Sequence, residues 1–366
     1  MESSPRKIIL LGATGTIGLR ACEIMEESPT EWEIIAASAH RKRPLPETVA
    51  KKVKKIFFTE DSEDRKRLLE LLEEGQYDIC LNGIVGAAGL VFSQSVLKSG
   101  KNLALANKES LVISGSLLTS LAEENNARII PVDSEHSAIF QCVEDQHSDI
   151  KKIFLTASGG ALRDIPVEKL ATVSPAEALN HPNWEMGKRI TIDSSTMMNK
   201  VFEVIEAHWL FGVQVEDIDI LIHEQSIIHS MVELCDGSIL AQMGIPDMGQ
   251  PIHFALHYPG RTPSSLKGFD ISLFKELTLK NPSVDRYPAL EFAADVIKRG
   301  GNAGAVLNAA DEIAVAAFLE GKISFLDIYK ICKMALENCS NKEAHSIEDL
   351  LETDQETREY CLSNIT

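Results

Sequence analysis

The chain has 366 residues, 44% of them hydrophobic and 25% charged, with a formal net charge of −18 at pH 7. That length exceeds one ordinary core and implies two or three domains of globular composition, while the acidic balance argues against nucleic acid or an anionic membrane surface as partner. No run approaches the roughly 20 uninterrupted apolar residues of a membrane span, and the N-terminus enters an apparent strand without the marks of a secretory signal, so a cytoplasmic location is expected. Seven cysteines are scattered with no CxxC pair and read as reduced thiols.

Short apolar runs alternate with helical periods in the first third of the chain. The runs are Lys7 to Leu11, Trp32 to Ala37, Lys55 to Phe58, Tyr77 to Leu81, Asn102 to Ala106 and Arg128 to Val132. Between them lie helical spacings such as Ile17, Ala21, Ile24 and Met25, or Leu68, Leu69, Leu71 and Leu72 ending at Gly75. This alternation predicts a doubly wound, Rossmann-like α/β domain: a parallel sheet with helices on both faces and ligands at the carboxyl ends of its strands. The first strand runs into Gly12-Ala13-Thr14-Gly15-Thr16-Ile17-Gly18, a glycine turn opening a helix, where a pyrophosphate can rest on backbone N–H groups. The second ends at Ser38-Ala39-His40-Arg41-Lys42-Arg43, with no acid for ribose hydroxyls but a basic cluster suited to the 2′-phosphate of NADP. The plainer reading of such a charge run is a solvated loop. The fourth strand ends in the flexible turn Asn82 to Gly89, and the fifth in Asn107-Lys108-Glu109-Ser110, which sets a lysine at the ligand crevice.

The sixth strand delivers Asp133 and Glu135, two residues apart, with Ser134 between them at the start of a helix. An oxygen-only group of this kind suits Mg²⁺ or Mn²⁺ rather than zinc, whereas its plain alternative is a helix cap. A second region follows from Lys151. Its first strand ends at Ser158-Gly159-Gly160, which can offer a hydroxyl and backbone N–H groups to an anion. The irregular stretch His181-Pro182-Asn183-Trp184-Glu185-Met186-Gly187 has the character of a lid. A strand from Arg189 to Asp193 is expected to lead through Ser194 into a helix from Met197 to Phe211. On that helix Met197, Met198, Val201, Ile205 and Trp209 form a core stripe, and Asn199, Lys200, Glu203 and Glu206 share another edge. Ser194, Asn199 and Lys200 could hold a phosphate, with a third carboxylate supplied to the cation; helical geometry does not choose between Glu203 and Glu206.

Further on, Ile218 to Ile222 is a strand, and Ile228 to Leu234 with Ser238 to Met243 reads as a hairpin around Asp236-Gly237, with His229 opening its first strand. The stretch from Pro259 to Pro288 has the composition of a linker. Helices follow at Ala289 to Lys298, Ala303 to Leu319, Phe325 to Glu337 and Ser346 to Ser363. The expected organisation is an NADPH-binding domain at 1–131, a central α+β catalytic domain with a mixed, mostly antiparallel sheet at 132–258, a linker at 259–288, and a C-terminal helical bundle at 289–366.

Seven blocks stand in order along the chain: GATGTIG from Gly12, LANKESLV from Leu105, PVDSEHSAIFQ from Pro131, TASGGALRD from Thr156, HPNWEMGKRITIDSSTMMNK from His181, PDM from Pro246 and NAADEIAV from Asn308. Together they resemble the 1-deoxy-D-xylulose 5-phosphate reductoisomerase family. The resemblance implies NADPH- and divalent-cation-dependent conversion of 1-deoxy-D-xylulose 5-phosphate to 2-C-methyl-D-erythritol 4-phosphate in the non-mevalonate isoprenoid route. That conversion proceeds by a retro-aldol and aldol sequence followed by hydride transfer, with Mg²⁺ or Mn²⁺ (or Co²⁺) as cation and a homodimer as assembly.

By the resemblance, Asp133, Glu135 and Glu203 are the metal ligands, and Ser158, Ser194, Asn199 and Lys200, with His181, hold the substrate phosphate. Lys108 and Ser134 contact the reacting oxygens, and His229 is a nearby active-site histidine. Gly12, Thr14, Gly15, Thr16 and Ile17 receive the pyrophosphate, with Ser38, His40, Arg41, Asn107, Glu109 and Gly187 also on the cofactor and Trp184 and Met186 on the lid. Two departures stand out: the helix reads NKVFE where many members have NKGLE, and PDM is followed by Gly249-Gln250 rather than arginine. Competing assignments are a metal-assisted NADP oxidoreductase on another sugar phosphate and a catalytically silent NADPH-binding regulator.

Overall fold

The computed structural model describes residues 4–42, 46–143, 149–184 and 186–365. Arg43 of the basic cluster and Glu185 of the expected lid lie outside the described residues. In chain order the elements begin with β1 (Arg6–Leu11), α1 (Thr16–Glu27), β2 (Trp32–Ala39), α2 (Glu47–Ala50), β3 (Ile56–Phe58) and α3 (Ser62–Glu74). Next come β4 (Ile79–Asn82), α4 (Leu90–Lys98), β5 (Asn102–Leu105), α5 (Glu109–Glu124), β6 (Ile129–Pro131) and α6 (Ser134–Val143). The chain continues with β7 (Ile150–Ala157), α7 (Pro175–Ala178), α8 (Lys188–Thr196), α9 (Met198–Phe211), β8 (Ile218–Ile222), β9 (Ile228–Leu234) and β10 (Ile239–Met243). It ends with α10 (Gly249–His257), α11 (Ile271–Phe274), α12 (Glu291–Arg299), α13 (Ala303–Leu319), α14 (Phe325–Asn338) and α15 (Ile347–Asn364).

These elements form two compact units: Met1–Ser110 with Ser116–Ser137 and Asp247–Lys267, and Leu111–Gly115 with Ala138–Pro246 and Gly268–Thr366. The first unit is a parallel six-stranded sheet in the order β3-β2-β1-β4-β5-β6, the doubly wound order expected from the alternation. Ile8 to Leu11 are completely buried, as a central parallel strand covered on both faces requires. Helix α3 starts at the Asp61 cap and stops at Gly75, whose φ of 64° permits the left-handed turn.

The boundaries expected at 131, 258 and 288 do not coincide with these units. The segment 247–267 returns to the first unit because Ile252, Ala255 and Leu256 of α10 pack into the same core as Ile8, Leu10 and Ile130. Arg6 Nη1 fastens it, donating to the carbonyl oxygens of Leu256 at 2.6 Å and Tyr258 at 3.0 Å. Asp247 accepts from Arg20 Nη2 at 2.8 Å and from the Gly249 N–H at 2.7 Å. A Cβ on Gly249 would lie 2.8 Å from Arg20 Nη2 and 2.7 Å from a Leu266 methyl. Both atoms are the far ends of flexible side chains, and Arg20 of α1 thus occupies the space beside residue 249.

In the second unit the sheet order is β10-β9-β7-β8, with β7 and β8 parallel and β9 antiparallel to both β7 and β10, the mixed sheet and hairpin expected. Arg189 to Asp193, expected as a strand, is instead the start of helix α8. The alternation of Ile190 and Ile192 mimics a strand, but Thr191, Ile192 and Ser195 are buried on a helical face and Arg189 pairs with Asp193 one turn on, at 3.5 Å. Met197, at φ 66°, ends α8 and turns the chain directly into α9.

Helices α12 to α15 belong to this same unit. So does the kink of α5, where Ser114 leaves helical geometry at φ −139°. That kink packs closely: a Cβ on Gly115 would fall 2.1 Å from the Trp209 ring, and one on Gly304 of α13 would fall 1.9 Å from the Val112 carbonyl oxygen.

Candidate active site

In the glycine turn after β1, two of the three glycines serve the fold. Gly12 has φ +77° and a Cβ there would sit 2.7 Å from Gly83 O; a Cβ on Gly18 would sit 2.5 Å from Gly12 O and Ala13 Cα. Gly15 is different: its φ is −84° and its Cβ would meet only Gly12 O, at 3.4 Å. Thr14, Gly15 and Thr16 are exposed, and no side chain caps the N-terminus of α1. The turn therefore presents uncapped N–H groups beside a bare backbone position, which fits the pyrophosphate of a dinucleotide. Ser38 lies underneath, its Oγ accepting from the Gly12 N–H at 3.1 Å and its carbonyl from Ala13 at 2.8 Å. It shapes the turn, while His40, Arg41 and Lys42 are exposed at the end of β2.

Beyond β4 and β5 a buried polar network sets the rim. Asn107 Nδ2 donates to Gly86 O at 3.0 Å and Glu109 Oε2 at 2.9 Å, and its Oδ1 accepts from Ser110 Oγ. Ser110 is 3.1 Å from Ser93 Oγ, which in turn accepts from Asn82 at 2.9 Å. Asn107 and Glu109, which the resemblance sets along the cofactor, are both buried and tie two loops together.

Next to this rim, Lys108 Nζ lies 2.5 Å from Asp133 Oδ2, with the two side chains 10% and 12% exposed. Asp133 and Glu135 each offer a carboxylate oxygen, the two within 4.8 Å of one another, and Ser134 Oγ donates to Glu135. The Asp133 carboxylate, at the entry to α6, is thus also paired with a lysine. The donor set is oxygen throughout, which fits a hard divalent cation.

In the second unit, the β7 end places Ser158 against His181, with Oγ and Nε2 2.9 Å apart. Nδ1 of His181 accepts from the N–H groups of Asn183 and Trp184, at 3.2 and 3.0 Å. The neutral ring therefore carries its proton on Nε2 and donates it to Ser158 Oγ. That oxygen also accepts from the Gly160 N–H at 3.1 Å, so the hydroxyl proton is left to donate to an incoming anion. Burial, reinforced by Arg163, pushes His181 down to about 4 from 6.5.

Because the folded value lies below the unfolded one, this histidine contributes stability that is intact above pH 6.5 and drains away as pH falls toward about 4. A titration of the His181 ring by NMR is expected to show a midpoint near 4; a midpoint near 6.5 would contradict the Nε2–H assignment.

On α9, Lys200 is buried, with Nζ 2.6 Å from Thr156 O and 2.5 Å from Glu203 Oε2, while Asn199 Nδ2 donates to Glu203 Oε1. Ser194 is half-buried at the end of α8. His229 is buried at the start of β9, edge-on to Trp184 with ring centroids 6.3 Å apart. Met186 is half-buried and Gly187 exposed, capping α8 by accepting from Thr191.

Sequence reasoning missed the groups that hold this arrangement. Asn183 donates to Glu224 O at 2.7 Å and Ser226 Oγ at 2.9 Å, and Arg163 reaches Ser158 O at 3.0 Å. His223, completely buried, donates from Nδ1 to Thr278 O at 2.8 Å and accepts from Ile227 and Ile228 at 3.1 Å, fixing the turn before His229. Asn183 lies inside the HPNW block, whereas His223 has no local signal.

Comparison with known proteins follows the same lines. The family described as 1-deoxy-D-xylulose 5-phosphate reductoisomerase matches residues 8–115, and its C-terminal domain families match 129–211 and 243–360. The 1-deoxy-D-xylulose 5-phosphate reductoisomerase of Thermodesulfovibrio yellowstonii is 43% identical over 381 aligned positions, covering 98% of this chain and 99% of that protein. The solved enzyme from Zymomonas mobilis in complex with NADPH is 38% identical, with a TM-score of 0.89 and 99% of each chain covered. A reductoisomerase solved with NADPH, fosmidomycin and magnesium is 35% identical, with a TM-score of 0.88 and 98% of each chain covered. The chain belongs to the 1-deoxy-D-xylulose 5-phosphate reductoisomerase family.

Proposed function

We propose that this chain converts 1-deoxy-D-xylulose 5-phosphate to 2-C-methyl-D-erythritol 4-phosphate using NADPH and Mg²⁺ or Mn²⁺. The observation that carries the reading is family membership over the whole chain combined with an intact set of Lys108, Asp133, Glu135, Lys200 and Glu203. Asp133, Glu135 and Glu203 are assigned as the oxygen ligands of the cation, and the turn from Gly12 to Ile17, with Ser38, His40, Arg41, Asn107, Glu109 and Gly187, as the NADPH site. When bound, the cation polarises the ketone and hydroxyl oxygens of the sugar, and NADPH supplies the hydride.

The residues do the rest. Ser158, with its donated proton set by His181, joins Ser194, Asn199 and Lys200 in holding the phosphate. Lys108 brings an ammonium group, and Ser134 a hydroxyl, to the oxygens where negative charge develops. Trp184 and Met186 cover the sugar and exclude water from the reacting fragments, with His229 behind Trp184.

The reading includes a homodimer and a cytoplasmic location. The edge strand β10 leaves Ile239 58%, Leu240 39% and Met243 38% exposed, an apolar edge suited to a second copy. All seven cysteines are free thiols, in keeping with a reducing compartment. No helix among the described residues is long and apolar enough to cross a membrane.

The test is NADPH oxidation with 1-deoxy-D-xylulose 5-phosphate, with and without Mg²⁺ or Mn²⁺, and identification of the product by mass and NMR. The branched tetrol phosphate is expected only with metal. NADPH binding without metal-dependent turnover would leave the regulator as the better assignment. Sedimentation equilibrium is expected to give a dimer that Leu240→Lys dissociates; a monomeric wild type would remove that part of the reading.

A further inference from the structure

The block from Asn308 to Glu312 on α13 has no part in the reaction above, yet Asn308 and Asp311 are completely buried and Glu312 is half-buried. They converge on one guanidinium. Arg189 Nη2 donates to Asn308 Oδ1 at 3.0 Å and Asp311 Oδ2 at 2.9 Å, Nη1 to Glu312 Oε1 at 2.8 Å, and Nε lies 3.5 Å from Asp193. Glu312 is braced in turn by Arg358 of α15, which also pairs with Asp354. The same guanidinium stands over the Phe202 ring, 5.7 Å from its centroid.

Arg189 is in the first turn of α8, two residues after Gly187, and Phe202 is on α9. One side chain therefore touches both helices that carry Ser194, Asn199 and Lys200, and pins them to α13. As a stability device such a cluster is poor, since buried ion pairs barely repay their desolvation against apolar packing. Its value lies in direction: a planar fork with several acceptors fixes an angle that a single ammonium group does not.

We propose that Arg189 is a positioning residue for phosphate recognition, holding the α8–α9 corner at Met197 in register through Asp311, Asn308, Glu312 and Phe202. The proposal rests on the phosphate site assigned above. It also gives a purpose to the phenylalanine that departs from the family's common glycine-leucine pair.

The test uses the full chain saturated with NADPH, titrated calorimetrically with inorganic phosphate, alongside steady-state kinetics, NADPH titration and thermal melting. Arg189→Met and Asp311→Asn are expected to weaken phosphate binding and raise KM about tenfold, with kcat within about threefold and NADPH affinity unchanged. Arg189→Lys is expected to recover only part of the loss. If Arg189→Met does not fold, Asp311→Asn and Asn308→Ala, which keep the guanidinium and remove one of its acceptors each, decide the matter.

Unchanged phosphate affinity in the folded variants, however far their melting temperatures fall, overturns the proposal and leaves a purely structural cluster. A wild type that binds phosphate without turning over the ketose phosphate sinks the reaction assignment, yet the phosphate arm still judges Arg189. A wild type that binds no phosphate overturns both.

Discussion

Lys108→Met is expected to lower kcat/KM by about a thousandfold or more while leaving NADPH affinity within about twofold. Two physical losses combine. The ammonium group assigned to the developing oxyanion disappears, and Asp133 loses a partner that stands 2.5 Å away in a site where both side chains are about nine-tenths buried. The second loss gives the prediction its sharper form. With the lysine gone, the Asp133 carboxylate loses its ammonium competitor, so Mn²⁺ binding measured by calorimetry is expected to hold or tighten in Lys108→Met, whereas Asp133→Asn loses Mn²⁺ binding and turnover together. Retention of turnover within tenfold of wild type would remove Lys108 from the reacting atoms.

The second large effect is on stability. Gly304→Ala is expected to destabilise the second unit by about 3 kcal/mol or more, lowering its melting temperature by about 6 °C or more. The new methyl group would fall 1.9 Å from the carbonyl oxygen of Val112, and this neighbour is backbone, which has no rotamer to yield. Val112 belongs to the kinked start of α5, so relief would require moving that kink or tilting α13. Gly187→Ala is the matched control: nothing lies within 4 Å of its Cβ position, and its φ of −61° suits alanine. Equal melting of the two variants would mean that α13 and the α5 kink do not pack as described.

Much of the architecture was legible because its signals are local. Six apolar runs punctuated by helical periods located β1 to β6 to within a few residues, and the buried alanine-rich span of α13 was found at Ala303–Leu319. The glycine turn, Asp133, Glu135 and the Asn199–Glu203 edge stood out as candidates for the same reason. What stayed hidden depends on distant partners. Arg189 to Asp193 misled because two isoleucines two apart satisfy a strand as well as a half-turn of buried helix, and Asp311 and Asn308, partners of Arg189, lie more than a hundred residues on. The membership of 247–267 turns on Arg6 reaching Leu256 and Tyr258 across some 250 positions, which no periodicity announces. His223 left no trace, since a histidine bonded to three backbone groups looks like any other histidine.

The return of α10 to the first core has a consequence for biosynthesis. On the ribosome, β1 to β6 emerge long before Ile252, Ala255 and Leu256, which complete the packing around Ile8 and Leu10. The nascent dinucleotide-binding unit therefore carries an open apolar face while the whole central sheet is still being made, and its closure waits for residue 267 to clear the exit tunnel. Synthesis order and packing order are therefore out of step in this chain.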